Sequence, residues 1–169
     1  LSKRIGLFER IHVDWGDSEE LRDIFVAEVA DRATGLLEGA RQMIDATFAP
    51  SPTNDRTRDA HTIKGSSRVM GFEYVGDAAA LMEDVWRQIE SGMLPPTTEL
   101  GSALEATTRA IQSAVEDGSD ANLQVLGLAV NALRRACGER TGTNAHPADE
   151  APTPSVDDPI RIPDQAPPP

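Results

Sequence analysis

Cys137 is the only cysteine in the 169 residues of this chain. A lone cysteine excludes an intrachain disulfide and any cysteine cluster for a metal. It reads as a small buried hydrophobe near a helix end. Aromatic residues make up 4% of the sequence. Runs of β-branched residues are missing, so no strand pattern competes for the chain. No apolar run approaches the roughly 18–20 residues of a membrane span, and no signal-peptide pattern opens the sequence. Positive charge is scarce as well: 16 Lys and Arg stand against 28 Asp and Glu, a formal net charge of -12. A nucleic-acid binder would carry a basic stripe, so that class is excluded. The expectation is a cytoplasmic chain with no membrane insertion. It opens on Leu1 rather than Met and reads as a piece of a longer protein.

What is present is helical in period. Asp17 and Ser18 precede Glu19 and Glu20, a helix start with acid in its first turn. Leu21, Phe25, Val29, Ala33, Leu36, Ala40, Met43 and Ile44 then recur at three- and four-residue steps, which predicts one long amphipathic helix ending before Pro50 and Pro52. A second helix is predicted from Asn54 or Asp55, with Ala60, Ile63, Ser67 and Met70 inward. Gly71 fits a left-handed C-cap, with Phe72 folding back as its hydrophobic contact. A third carries Val75, Ala79, Met82, Trp86 and Ile89 on its core face and ends near Ser91-Gly92. Thr97 or Thr98 can cap a fourth, which buries Leu100, Leu104, Ile111 and Val115. A fifth places Leu123, Leu126, Val130 and Leu133 along one face. The predicted fold is all-α: an antiparallel up-down four-helix bundle with an additional C-terminal helix, spanning 17–137.

The two ends differ from this. Residues 1–16 read as an N-terminal arm or a short helix with Leu1, Ile5, Phe8 and Ile11 on one side. Eight of the twelve prolines fall between Pro147 and Pro169. Such a segment buries too little apolar surface to offset its ordering entropy, so 138–169 is expected to be a disordered Pro-rich linker.

The stretch DAHTIKGSSRVMGF, residues 59–72, carries the chemistry. At about 100° per residue, Lys64, Gly65 and Arg68 fall within about 60° of His61, on the face opposite Ile63 and Met70. A mid-helix glycine costs roughly 1 kcal/mol against alanine. On an outward face that cost makes sense if another molecule must approach His61 closely. Lys64 and Arg68 make the spot locally positive in an acidic chain. An exposed nitrogen nucleophile, positive charge and clearance for a partner together point to phosphoryl transfer. One ring nitrogen attacks while the other is held as its N–H by an acceptor. Glu83, beside the inward seam Ala79–Met82–Trp86 of the third helix, is the candidate acceptor. Lys64 would offset the charge of the phosphorylated state. Nothing supplies a nucleotide site or a magnesium cage, so partner domains would bind ATP and Mg.

At these residues the sequence resembles the histidine-containing phosphotransfer (HPt) family, most of all the N-terminal phosphotransfer domain of CheA-type chemotaxis kinases. The motif H-x-x-K-G is met by His61, Lys64 and Gly65, followed by Gly71 and Phe72. The continuation FEYVGDAAALMEDVWRQIESGMLPPTTEL is similar too, and the likeness covers roughly 18–137. It implies a phosphorylated His61, Lys64 beside the phosphoryl group, Gly65 giving partners access and Glu83 bonded to the imidazole. Several CheA proteins carry a second histidine one turn before that glutamate, where this chain has Ala80. Ser66, Ser67 and Arg68 replace small residues common in the family, and Arg68 is a candidate partner contact. The implied partners are a histidine kinase catalytic domain and CheY- or CheB-like receiver domains. The domain would be a monomeric phosphocarrier, not a complete enzyme. A phosphorelay HPt module and a non-catalytic helical module are the alternatives.

Competing motifs fail on spacing. KGSS lacks the earlier glycine and the strand of a phosphate loop. No second histidine or cysteine stands at ligand distance from His61. Glu83 and Asp84 are adjacent and diverge on a helix, which leaves no acid–base pair. A sensor-kinase dimerisation helix would carry an acid after its histidine and a proline soon after; here Thr62 follows, with no proline before Pro95. His12 and His146 stand in no such constellation, while Met82 and Trp86 read as core.

Overall fold

The computed structural model describes residues 19–138. The readings made for 1–16, the Asp17-Ser18 cap, His12, His146 and the Pro-rich segment from 139 onward lie outside the described residues. Five helices follow in order: α1 (Glu19–Ile44), α2 (Asp55–Val69), α3 (Glu73–Glu90), α4 (Thr98–Glu116) and α5 (Asp120–Ala136). Among the described residues there is no strand, and no helix is long and apolar enough to cross a membrane.

Side-chain contacts set the directions. Arg22, near the start of α1, donates to the carbonyl of Glu116 at the end of α4. Arg32 reaches Asp59 across α1 and α2. Thr57 and Lys64 of α2 meet Glu90 and Glu83 of α3 in reverse order. Each neighbour therefore runs antiparallel: α1 packs on α4 and α2, α2 on α3, and α5 closes over α4. This is the expected four-helix bundle with one added helix.

The core follows the periodicity. Phe25, Val29, Leu36, Ile63, Val75, Met82, Trp86, Ile89, Leu100, Leu104, Ile111 and Leu133 are all buried. At the crossing of α1 and α4, a Cβ on Gly101 would stand 2.7 Å from the carbonyl oxygen of Ala40, so only glycine permits that approach. Thr97 caps α4, its side chain accepting from Leu100 N–H, and Ser119 caps α5 by accepting from Asn122 N–H.

Several positions differ from expectation, and Ile44 and Met70, at the C-terminal ends of α1 and α2, are half-buried rather than sealed. Leu21 is 57% exposed: α4 ends beside Arg22, so the first turn of α1 stands at the rim of the bundle. Leu123, Val130 and Cys137 are half-buried and pack against the core rather than inside it. They sit on α5 and its C-terminal cap, and α5 is an outer helix with core on one side only.

Candidate functional site

The site lies on the seam between α2 and α3. Ala60, Ile63 and Ser67 anchor α2 inward, which turns His61 out. Its C-terminus is fixed by a paired turn: Phe72 N–H donates to Ser67 C=O and Gly71 N–H to Arg68 C=O. Gly71 takes the positive φ of 78° this motif requires. The short turn sets the register of the α2–α3 hairpin, and Phe72 ties it to α1 by packing against Phe25, ring centroids 5.2 Å apart.

That register puts Glu83 opposite His61. Met82 and Trp86, on either side of Glu83 along α3, are fully buried, and the Glu83 side chain is 10% exposed against 64% for His61. Glu83 Oε1 lies 3.2 Å from His61 Nδ1. Lys64 Nζ donates to Oε2 at 2.5 Å. Burial by itself would push the Glu83 carboxyl up, but the hydrogen bonds and charges of Lys64 and His61 outweigh it, and the net direction is down. The carboxylate is therefore ionised at neutral pH and can only accept. The contact to Nδ1 is a hydrogen bond only if Nδ1 carries the proton. A neutral His61 held this way presents Nε2 with its lone pair.

Clearance at the site is real. A Cβ on Gly65, one turn along α2, would meet nothing within 4 Å. No internal packing demands glycine there, and α2 keeps a low ridge beside the imidazole. The expected set therefore divides. His61, Lys64, Gly65 and Glu83 form one cluster. Arg68 turns away along the seam: it reaches Asp77 at 3.4 Å and lies against Gly76, where a Cβ would stand 2.9 Å from its Cγ. Lys64 is committed to Glu83 rather than projecting beside the imidazole. Ser66 turns its hydroxyl back to the carbonyl of Thr62.

Sequence reasoning passed over Arg87. Its guanidinium donates to Glu83 Oε1 at 2.6 Å and to Asp84 at 2.6 Å. The signal was its spacing four residues after Glu83, which on a helix puts the two on one face. That spacing is common on exposed helices and does not by itself mark a site. A cleft of about 370 Å³ is lined by Arg87 together with Leu81, Val85, Met93 and Cys137 among others, and does not include His61.

The Hpt domain family matches residues 20–136. Two relatives, each named chemotaxis protein CheA, come from Listeria monocytogenes serovar 1/2a and Listeria innocua serovar 6a. Each is 29% identical over 100 residues, which cover 56% of this chain and 15% of the relative. The match thus spans only about 15% of the length of these curated relatives. No solved structure matches the chain.

Proposed function

This chain belongs to the Hpt domain family, and from that premise we propose that His61 is its phosphoryl acceptor and donor. The family role is histidine phosphotransfer in two-component signalling. The single observation that carries the assignment is the His61–Glu83 pair: Nδ1 is tied to a buried carboxylate while the ring stays exposed.

The lone pair of Nε2 attacks the terminal phosphorus of ATP held by a kinase domain. The bond from that phosphorus to the bridging oxygen breaks, and ADP leaves with the electron pair. The ring becomes cationic and keeps its Nδ1 proton, whose hydrogen bond to the Glu83 carboxylate stabilises that charge. In the second step a carboxylate oxygen of a receiver-domain aspartate attacks the phosphorus. The P–N bond breaks, and its electron pair returns to Nε2. Lys64 holds the second oxygen of Glu83, so the acceptor does not swing with the ring. Gly65 leaves room for either partner domain to close over Nε2, and Arg68 offers a charged contact further along α2. The nucleotide and its magnesium belong to the kinase domain, in keeping with a phosphocarrier rather than a complete enzyme.

The relatives named chemotaxis protein CheA support a chemotaxis setting, with CheY- or CheB-like receivers as acceptors in the cytoplasm. The test is transfer of labelled phosphate from ATP, through a CheA-type kinase core, onto the wild-type chain and onto His61→Gln. Acid-labile, alkali-stable label on the wild type alone is the expected result. Equal label on both chains would overturn the assignment of His61.

A further inference from the structure

Three donors converge on Glu83, and they are not equivalent. Lys64 takes Oε2 at 2.5 Å. Arg87 and His61 share Oε1, at 2.6 Å and 3.2 Å. Arg87 is itself fixed, because its other terminal nitrogen donates to Asp84 at 2.6 Å. A guanidinium forked between two carboxylates has a defined plane and little freedom to rotate. Held by Lys64 alone, the carboxylate of Glu83 would pivot about Oε2, and Oε1 would leave the line to Nδ1. Held at both oxygens, it keeps Oε1 aimed at the imidazole.

We propose that Arg87 is a positioning residue for the phosphoryl acceptor: it acts through Glu83, fixing Oε1 where it selects the Nδ1–H tautomer of His61. The inference rests on the reading of His61 as acceptor. An ordinary surface pair four residues apart would contribute little to stability or chemistry. This pair differs because its carboxylate is buried and its shared oxygen also holds the reactive ring. Arg87 touches neither substrate nor reacting atom, so its effect must pass through Glu83 and vanish without it.

The test uses the 169-residue chain as wild type, Arg87→Ala, Arg87→Lys, Glu83→Gln and the Glu83→Gln/Arg87→Ala double variant. Long-range ¹H–¹⁵N spectra of the imidazole, assigned with His61→Gln, report the tautomer in alkaline buffer. Initial rates of labelling by a kinase core report acceptance. Arg87→Ala should shift His61 from mainly Nδ1–H towards the mixture seen in Glu83→Gln. Its labelling rate should fall about threefold to tenfold, the scale of one ordinary intramolecular hydrogen bond. Arg87→Lys, a point charge without the fork, should restore part of both. In the Glu83→Gln background the loss of Arg87 should add nothing. If Arg87→Ala changes only the melting temperature, with tautomer and labelling as in wild type, the positioning role is overturned. The tautomer readout needs no kinase. A wild-type chain that takes no label from the kinase core or, in reverse, from phosphorylated receiver domains, yet loses its tautomer in Arg87→Ala, would overturn the acceptor reading and leave the positioning by Arg87 standing.

Discussion

Glu83 and Glu90 stand seven residues apart on the face of α3 that meets α2, and each faces a cation from that helix. Glu90 is sealed, its side chain 1% exposed beside Arg56 at 3.9 Å. Its second oxygen accepts from Thr57. The Arg56 guanidinium lies over the rings of Phe48 and Trp86, at 5.0 Å and 5.7 Å, and donates to Gln42. Glu83 has Lys64, Arg87 and an imidazole that reaches into water. The same pairing of an α3 acid with an α2 base thus gives a structural joint at one level and a candidate reactive site at the next. The loop between α1 and α2 decides it: Phe48 covers Arg56, and among the described residues no such aromatic contact is found at His61.

The sharpest way to break that comparison is to cut both acids. Glu90→Ala leaves Arg56 as a largely buried charge with its acid removed, and such losses cost about 3–5 kcal/mol. Chemical denaturation should find that loss, with labelling of the remaining folded chain unchanged. Glu83→Ala should cost less stability, because Lys64 and Arg87 can both reach solvent, yet slow labelling more. If the two variants fall together in both measurements, the division into joint and site is wrong.

Gly65→Ala sharpens it from the other side. The added Cβ meets open space, so the helix should gain roughly 1 kcal/mol, read as a higher midpoint in urea. Transfer to a receiver domain should slow, because the methyl group stands where the partner approaches. Unchanged transfer would mean that no partner comes close at Gly65.

The smallest effect is the response to acid, because burial and ion pairing pull Glu83 in opposite directions. Its folded value is lowered, so its contribution to stability is complete above the ordinary carboxylate range and is lost as pH falls through the lowered value. Asp59 runs the other way: burial raises it, with Arg32 opposing. Folding then holds the Asp59 proton more tightly than the unfolded chain does, and its contribution weakens as pH rises. Unfolding midpoints against pH should show the wild-type advantage over Glu83→Gln shrinking as pH falls. The advantage of Asp59→Asn over wild type should shrink over the same fall. Curves that run parallel from neutral to acid pH would deny both shifts.

Much of this was legible beforehand. His61, Lys64 and Gly65 share a face because a helix repeats every 3.6 residues, and their chemistry follows from their identities. Glu83 was legible as the first polar flank of an apolar seam. Arg87 was not, because a base four residues after an acid looks the same whether the acid is buried or exposed. The angle and charge of Arg68 place it with His61, yet Asp77 and Gly76 on α3 draw it along the seam. The period of α1 continues to Leu21, but periodicity says nothing about where the opposing helix stops.

The sequence by itself determined the five helices, their buried faces and the outward placement of His61, since these depend on local geometry and on apolar spacing along one helix. Only the tertiary structure decided which oxygen of Glu83 meets which donor, that Lys64 is spoken for, and that Glu90 meets a covered base while Glu83 meets an exposed ring. Those outcomes depend on the register between α2 and α3 and on where Phe48 comes to rest, and both are set by packing between segments distant in the chain.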